Sequence, residues 1–146
     1  MHIEPGVVNE AKMVLSYATA AGATGLTIKY AAQTLRQSKS AAFILRFMIA
    51  TLLTVFFFEV LPKFPVGVSE VHFIFGSTLF LLFGAAPAAI GLAVGLALQS
   101  LFLSPADMPQ YFMNTTTLLC PLFAISWIAG RIIAPKTAYM DLTYKQ

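Results

Sequence analysis

The chain has 146 residues, of which 58% are hydrophobic and 10% charged, with a net charge of +3; its mean hydropathy is +0.79. Soluble domains carry about 25% charged residues, so this composition excludes an ordinary soluble domain and indicates an integral membrane protein. A single cysteine, Cys120, excludes an intrachain disulfide.

In chain order, residues 7–11 read as a short polar approach to a first span from about Lys12 to Ile28. That span is rich in small residues, with Ser16, Ala18, Ala20, Ala21, Gly22, Ala23 and Gly25. Small residues let helices approach closely in lipid, so a helix buried among other helices is expected. Residues 29–40 carry Lys29, Arg36 and Lys39 without an acid and read as a basic loop, with Arg46 just beyond it. Between two apolar spans such a cluster marks the cytoplasmic side rather than a nucleic-acid surface. No nucleic-acid partner is expected.

The second span, Ala41 to Leu61, is strongly apolar and long enough for a bilayer. Pro62 and Pro65 then break the helix. A short third span, about Val71 to Phe83, is expected to form one arm of a hairpin that turns at Gly84-Ala85-Ala86-Pro87. The fourth span, Ala88 to Leu103, contains Gly91 and Gly95 in a G-x-x-x-G spacing, a signal of helix packing. Gln99 is expected to hydrogen-bond between helices, and Cys120 to be a packing residue. The fifth span runs from about Asn114 to Ile133.

The fold class is therefore all-α: a polytopic membrane helix bundle of about five transmembrane helices in one membrane-embedded domain, residues 1–146. With the basic loop inside, the N-terminus and residues 62–70 and 104–113 fall outside, and the C-terminus falls inside with Arg131 and Lys136. Met1-His2 and the start of the His72 helix then share one membrane face.

That shared face gives the first two residues a chemical meaning. Met1 supplies an α-amine, and His2 supplies an amide nitrogen and an imidazole. Chelation through all three closes small fused rings around one ion. His72, the only other histidine, is the candidate fourth donor. Four nitrogens in a plane suit Ni²⁺ or Cu²⁺, with Co²⁺ as a further candidate, better than tetrahedral Zn²⁺. No signal peptide is expected, because Glu4, Pro5 and Gly6 stand where a basic start and apolar core would be. Histidine at position two is too large for the initiator methionine to be trimmed, so Met1 is expected to stay.

Met1, His2, Ile3, Glu4 and Gly6 resemble the start of the substrate-binding membrane subunits (S components) of energy-coupling-factor cobalt and nickel transporters, the CbiM/NikM family. The acidic residue stands one place earlier than in that family. Pro65-Val66-Gly67-Val68-Ser69 ahead of His72, and then Gly84, Pro87, Gly91, Gln99 and Asn114, extend the resemblance. It implies that Met1, His2 and His72 bind the metal, with the N-terminal segment tucked among the helices. It also implies Ni²⁺ or Co²⁺ as transported substrate and a role beside cobalamin biosynthesis. The partners implied are a transmembrane coupling subunit, a cytoplasmic ABC ATPase pair and a small accessory membrane subunit. The location implied is a bacterial or archaeal plasma membrane. Members generally continue with further helices, so a fragment or short form is expected.

Two other classes were weighed against this one. A structural or assembly subunit of a membrane complex would account for the small-residue helices and would hold no metal of its own. An intramembrane enzyme would need paired catalytic groups, and the spans contain no paired carboxylates, G-x-S-x-G or H-E-x-x-H. There is also no P-loop, so ATP hydrolysis is expected on separate subunits.

Overall fold

The computed structural model describes residues 2–3, 8–37, 40–67 and 69–133. Among them are five α-helices: α1 (Glu10–Gln37), α2 (Ser40–Glu59), α3 (Gly76–Phe83), α4 (Ala85–Leu98) and α5 (Tyr111–Ile128). Three strands, β1 (His2–Ile3), β2 (Phe64–Val66) and β3 (Ser69–Val71), form one small sheet. The expected all-α membrane bundle is the architecture. Three stretches are long and apolar enough to cross a membrane: Ser40–Glu59, Ala85–Leu103 and Pro105–Arg131.

Helix α1 starts where Asn9 accepts the Lys12 amide hydrogen at 3.0 Å, an N-cap that satisfies an otherwise orphaned donor. It then runs further than the expected first span. Lys29 and Arg36 lie on the helix rather than in a loop. The reason is local: Ala31-Ala32-Gln33-Thr34-Leu35 contains no Gly or Pro to end it. At 1.5 Å per residue the helix is about 42 Å long, more than the about 30 Å of hydrocarbon in a bilayer.

Helix α3 is shorter than the expected third span. The chain from His72 to Phe75 has no regular secondary structure, and only Gly76–Phe83 is helical. Phe75 adopts a left-handed conformation at φ 50°, and its ring lies 4.9 Å from that of Phe57. Eight residues rise about 12 Å, so α3 is a half-length arm. Gly84, at φ +89°, turns directly into α4 and donates its N–H to the Phe80 carbonyl at 2.8 Å. Ala85, Ala86 and Pro87, expected in the turn, form the first turn of α4, where proline has no hydrogen bond to lose.

Helices α2 and α4 make the most extensive contact in the bundle. They run parallel: Gly91 faces Ala50 and Thr51, and Gly95 faces Thr54. A Cβ on Gly91 would stand 2.5 Å from the Ala50 Cβ. The G-x-x-x-G spacing thus serves close approach, as expected for helices in lipid. Thr51 and Thr54 donate their hydroxyls to carbonyls four residues back at 2.9 and 2.8 Å, so the packed face carries no unpaired hydroxyl there. Around this pair the core gathers Leu79, Leu92, Leu119, Leu122 and Phe123, with Tyr30 of α1 stacked on Phe123 at 5.5 Å.

Helix direction sorts the molecule into two ends. The starts of α1 and α5 and the ends of α2 and α4 share one end with the sheet and His72. Arg36, Arg46 and Arg131 fall toward the other.

Candidate metal site

The segment 64–71, expected to be a simple break, is a β-hairpin. Phe64 pairs with Val71, Pro65 with Glu70 and Val66 with Ser69. That register leaves Gly67-Val68 as a two-residue connection, and Gly67 has φ +63°. Tight hairpins need such a residue because their turn must follow the strand twist. Pro65 is tolerated because β2 is an edge strand in the order β1-β3-β2.

The third strand comes from the start of the chain. β1 pairs antiparallel with β3, His2 opposite Glu70 and Ile3 opposite Ser69. Stepping back from Ile3 to His2 therefore steps forward along β3 from Ser69 to Glu70, toward His72. The N-terminal main chain and the second histidine converge at one end of one sheet. Of the three expected ligating residues, Met1 lies outside the described residues, and for His2 only the main chain is described. His72 is described fully: it is 6% exposed, and its imidazole meets the Phe58 ring edge to face at 5.6 Å.

Phe58 is itself fully buried, and it anchors a cluster with Leu96 of α4 and Leu118 of α5. Ile74 and Tyr111 complete that cluster, and the Tyr111 hydroxyl donates to the Ala93 carbonyl at 3.1 Å. The His72 ring thus packs on Phe58, whose own cluster joins three helices. Among the described residues no three His, Cys, Asp or Glu side chains gather.

Beside this seat the bundle buries an unusual set of neutral polar side chains. A π-helical turn, Gln99–Leu103, closes α4, and a 3₁₀ turn, Pro105–Gln110, leads into α5. Gln99, Ser100, Gln110, Asn114 and Thr115 are all at least nine-tenths buried. Gln99 was expected to bond between helices; instead its Nε2 donates to Ser104 at 3.4 Å within the same connection. Asn114 has both amide atoms without a hydrogen-bond partner. A buried unsatisfied group costs about 1–3 kcal/mol, so such a concentration at one end needs a reason. Sequence reading singled out Gln99 as a polar residue in an apolar span and by resemblance, and Asn114 by resemblance alone. Ser100, Gln110 and Thr115 gave no signal, since nothing in a sequence reports that a π turn rotates its first residues inward.

Cys120 is exposed on α5, so it faces away from the bundle and is not the packing residue expected. Lys63 and Glu59 form an i,i+4 ion pair at 3.4 Å near the surface of the His72 end, a kind of pair that contributes little.

The family model for the cobalt uptake substrate-specific transmembrane region, CbiM, matches residues 2–144. The chain belongs to that family. It is a membrane component of cobalt uptake and not an enzyme, with cobalt as the family's transported substrate. No curated relative and no solved structure matches the chain.

Proposed function

We propose that this CbiM-family chain is the substrate-specific subunit of an energy-coupling-factor ABC transporter that takes up Ni²⁺ or Co²⁺. It captures the ion with four nitrogens: the Met1 α-amine, the His2 amide and imidazole, and the His72 imidazole. The observation that carries this reading is the strand register, His2 opposite Glu70, which runs β1 toward a buried His72. The basic end faces the cytoplasm, by the distribution of Arg36, Arg46 and Arg131. The His72 end then opens to the exterior of a bacterial or archaeal plasma membrane. A transmembrane coupling subunit, two cytoplasmic ATPases and a small accessory membrane subunit complete the machine.

Binding must displace protons from the amine, the amide and the imidazoles, so capture weakens as pH falls. The test acts on the terminus, because two of the donors are main chain and no side-chain mutation reaches them. Acylating the α-amine, or adding residues before Met1, turns an amine into a poorly ionised amide. Metal analysis and uptake are compared for native and extended chains that are equally inserted and folded. The extended chain should lose both binding and uptake. Full binding and uptake by the extended chain would sink the site.

A further inference from the structure

The five buried neutral side chains around Asn114 are not accounted for by the four-nitrogen site, and they sit on three consecutive elements. Gln99 and Ser100 open the π turn, Gln110 closes the 3₁₀ turn, and Asn114 and Thr115 lie one helical turn into α5. Among the described residues, Gln99 Oε1, Gln110 Oε1 and Asn114 Oδ1 are acceptors without a hydrogen-bond partner, Asn114 Nδ2 is a donor without one, and the Ser100 and Thr115 hydroxyls, which can donate or accept, also have none. The strand β1 packs against the same 3₁₀ turn. The α4 and α5 residues one turn further into the bundle, Leu96 and Leu118, pack on Phe58, which holds the His72 ring.

The chemistry of this set restricts its occupant. Three amide oxygens can only accept, Asn114 Nδ2 can only donate, and the Ser100 and Thr115 hydroxyls can do either, so the occupant has to offer both donors and acceptors. At least one acceptor is needed for Asn114 Nδ2. No ionised group belongs to the set, so nothing in it selects a charged side chain. A peptide main chain meets these terms, and the segment that carries β1 is the one that reaches this place. We propose that Asn114 and Gln99 are positioning residues that hold the N-terminal segment by its main chain against the His72 end. The proposal rests on the metal reading only for its consequence: a held terminus presents its nitrogens in a fixed plane. Neutral amides suit that task.

The experiment uses the full chain with its native N-terminus and the variants Asn114→Leu and Gln99→Met, each close in size to the residue replaced. Hydrogen exchange of the peptide containing His2 and Ile3 is measured without metal. Ni²⁺ affinity and the position of its ligand-field absorption are measured alongside. Exchange should speed up at least 10-fold and Ni²⁺ affinity fall at least 10-fold, with the absorption band unmoved and the melting temperature not lowered. An unchanged melting temperature is expected because Asn114→Leu removes two unsatisfied atoms with the amide, and Gln99→Met removes an unsatisfied oxygen together with only a long, 3.4 Å bond to Ser104. Either variant suffices should the other fail to fold. Unchanged exchange in a folded variant overturns the proposal. So does faster exchange spread over every helix, which marks a general structural role. A shifted band overturns it too, because the amide would then be a ligand. If the native chain takes up no Ni²⁺ but the exchange contrast persists, the seat stands and the metal reading fails.

Discussion

Replacing Gly91 by Ala tests the α2–α4 contact on which the His72 end rests. The added Cβ would lie 2.5 Å from the Ala50 Cβ, 2.9 Å from the Ala50 carbonyl carbon and 3.0 Å from the Thr51 nitrogen. Carbon atoms rest at about 3.5–4.0 Å, so the helices must part by about 1 Å. Two of the three blocking atoms are backbone, which no rotamer change can move aside. Overpacking of this kind costs about 1–3 kcal/mol, and alanine returns about 1 kcal/mol in helix propensity. With backbone in the way the upper end applies, for a net loss of about 2 kcal/mol, or about 30-fold in the unfolding equilibrium. Gly22 on α1 is the control, because a Cβ there meets nothing within 4 Å. Gly22→Ala should leave stability unchanged or raise it by up to about 1 kcal/mol. Both are measured by reversible denaturant titration in detergent, followed by helical circular dichroism. Equal stability of the two variants would show that α2 and α4 do not meet at Gly91.

Two further outcomes follow from the candidate site and the charge distribution. His72→Ala should weaken Ni²⁺ binding by more than about 100-fold, since groups that merely hold a metal ligand in place are already worth about 10–100-fold. Its absorption band should shift, whereas Cys120→Ala, on an exposed face, should change neither; an unmoved band and affinity in the His72 variant would put the fourth donor elsewhere. In a Cys120→Ala background, a cysteine at Asp107 should react with an impermeant thiol reagent in intact cells, and one at Ser38 should not. The reverse pattern would invert the proposed orientation.

How much of this was legible in the sequence depends on the range of the forces involved. Hydropathy exposes apolar length, so α2, α4 and α5 fall close to the expected spans. Gly91 and Gly95 announced a close helix contact, though not its partner; only packing shows that Ala50 and Thr54 complete it. The basic residues Lys29 and Arg36, expected in a loop, lie on α1, because a positive charge says nothing about backbone conformation. The hairpin at 64–71 was missed for a different reason. Two prolines and a glycine read as a break, and a proline is compatible with a strand only at an edge, which is a fact of pairing and not of local sequence. The same holds for β1: two residues have no periodicity, and their strand exists only because β3 offers it partners.

That dependence on pairing bears on how a main-chain metal site can select its ion. Affinity for divalent ions at a set of nitrogens rises toward Cu²⁺ whatever protein supplies them, so ligand identity alone cannot favour Ni²⁺ or Co²⁺. What the fold can fix is geometry. A shift of one residue between β1 and β3 would turn every side chain of β1 to the opposite face. Under the proposed reading, the His2 imidazole would then leave the plane although every atom of the chelate remained present. Hydrogen bonds in two short strands hold such a register weakly on their own. A register this costly to lose calls for a hold from below; under the proposed seat the buried amides of Gln99 and Asn114 supply it for β1, and Phe58 packs against His72. Both stand on α2, α4 and α5, the three stretches long and apolar enough to be anchored by the bilayer. Under that reading metal selectivity depends on helix packing as much as on the ligands, and a change at Gly91 should alter it without touching a donor atom.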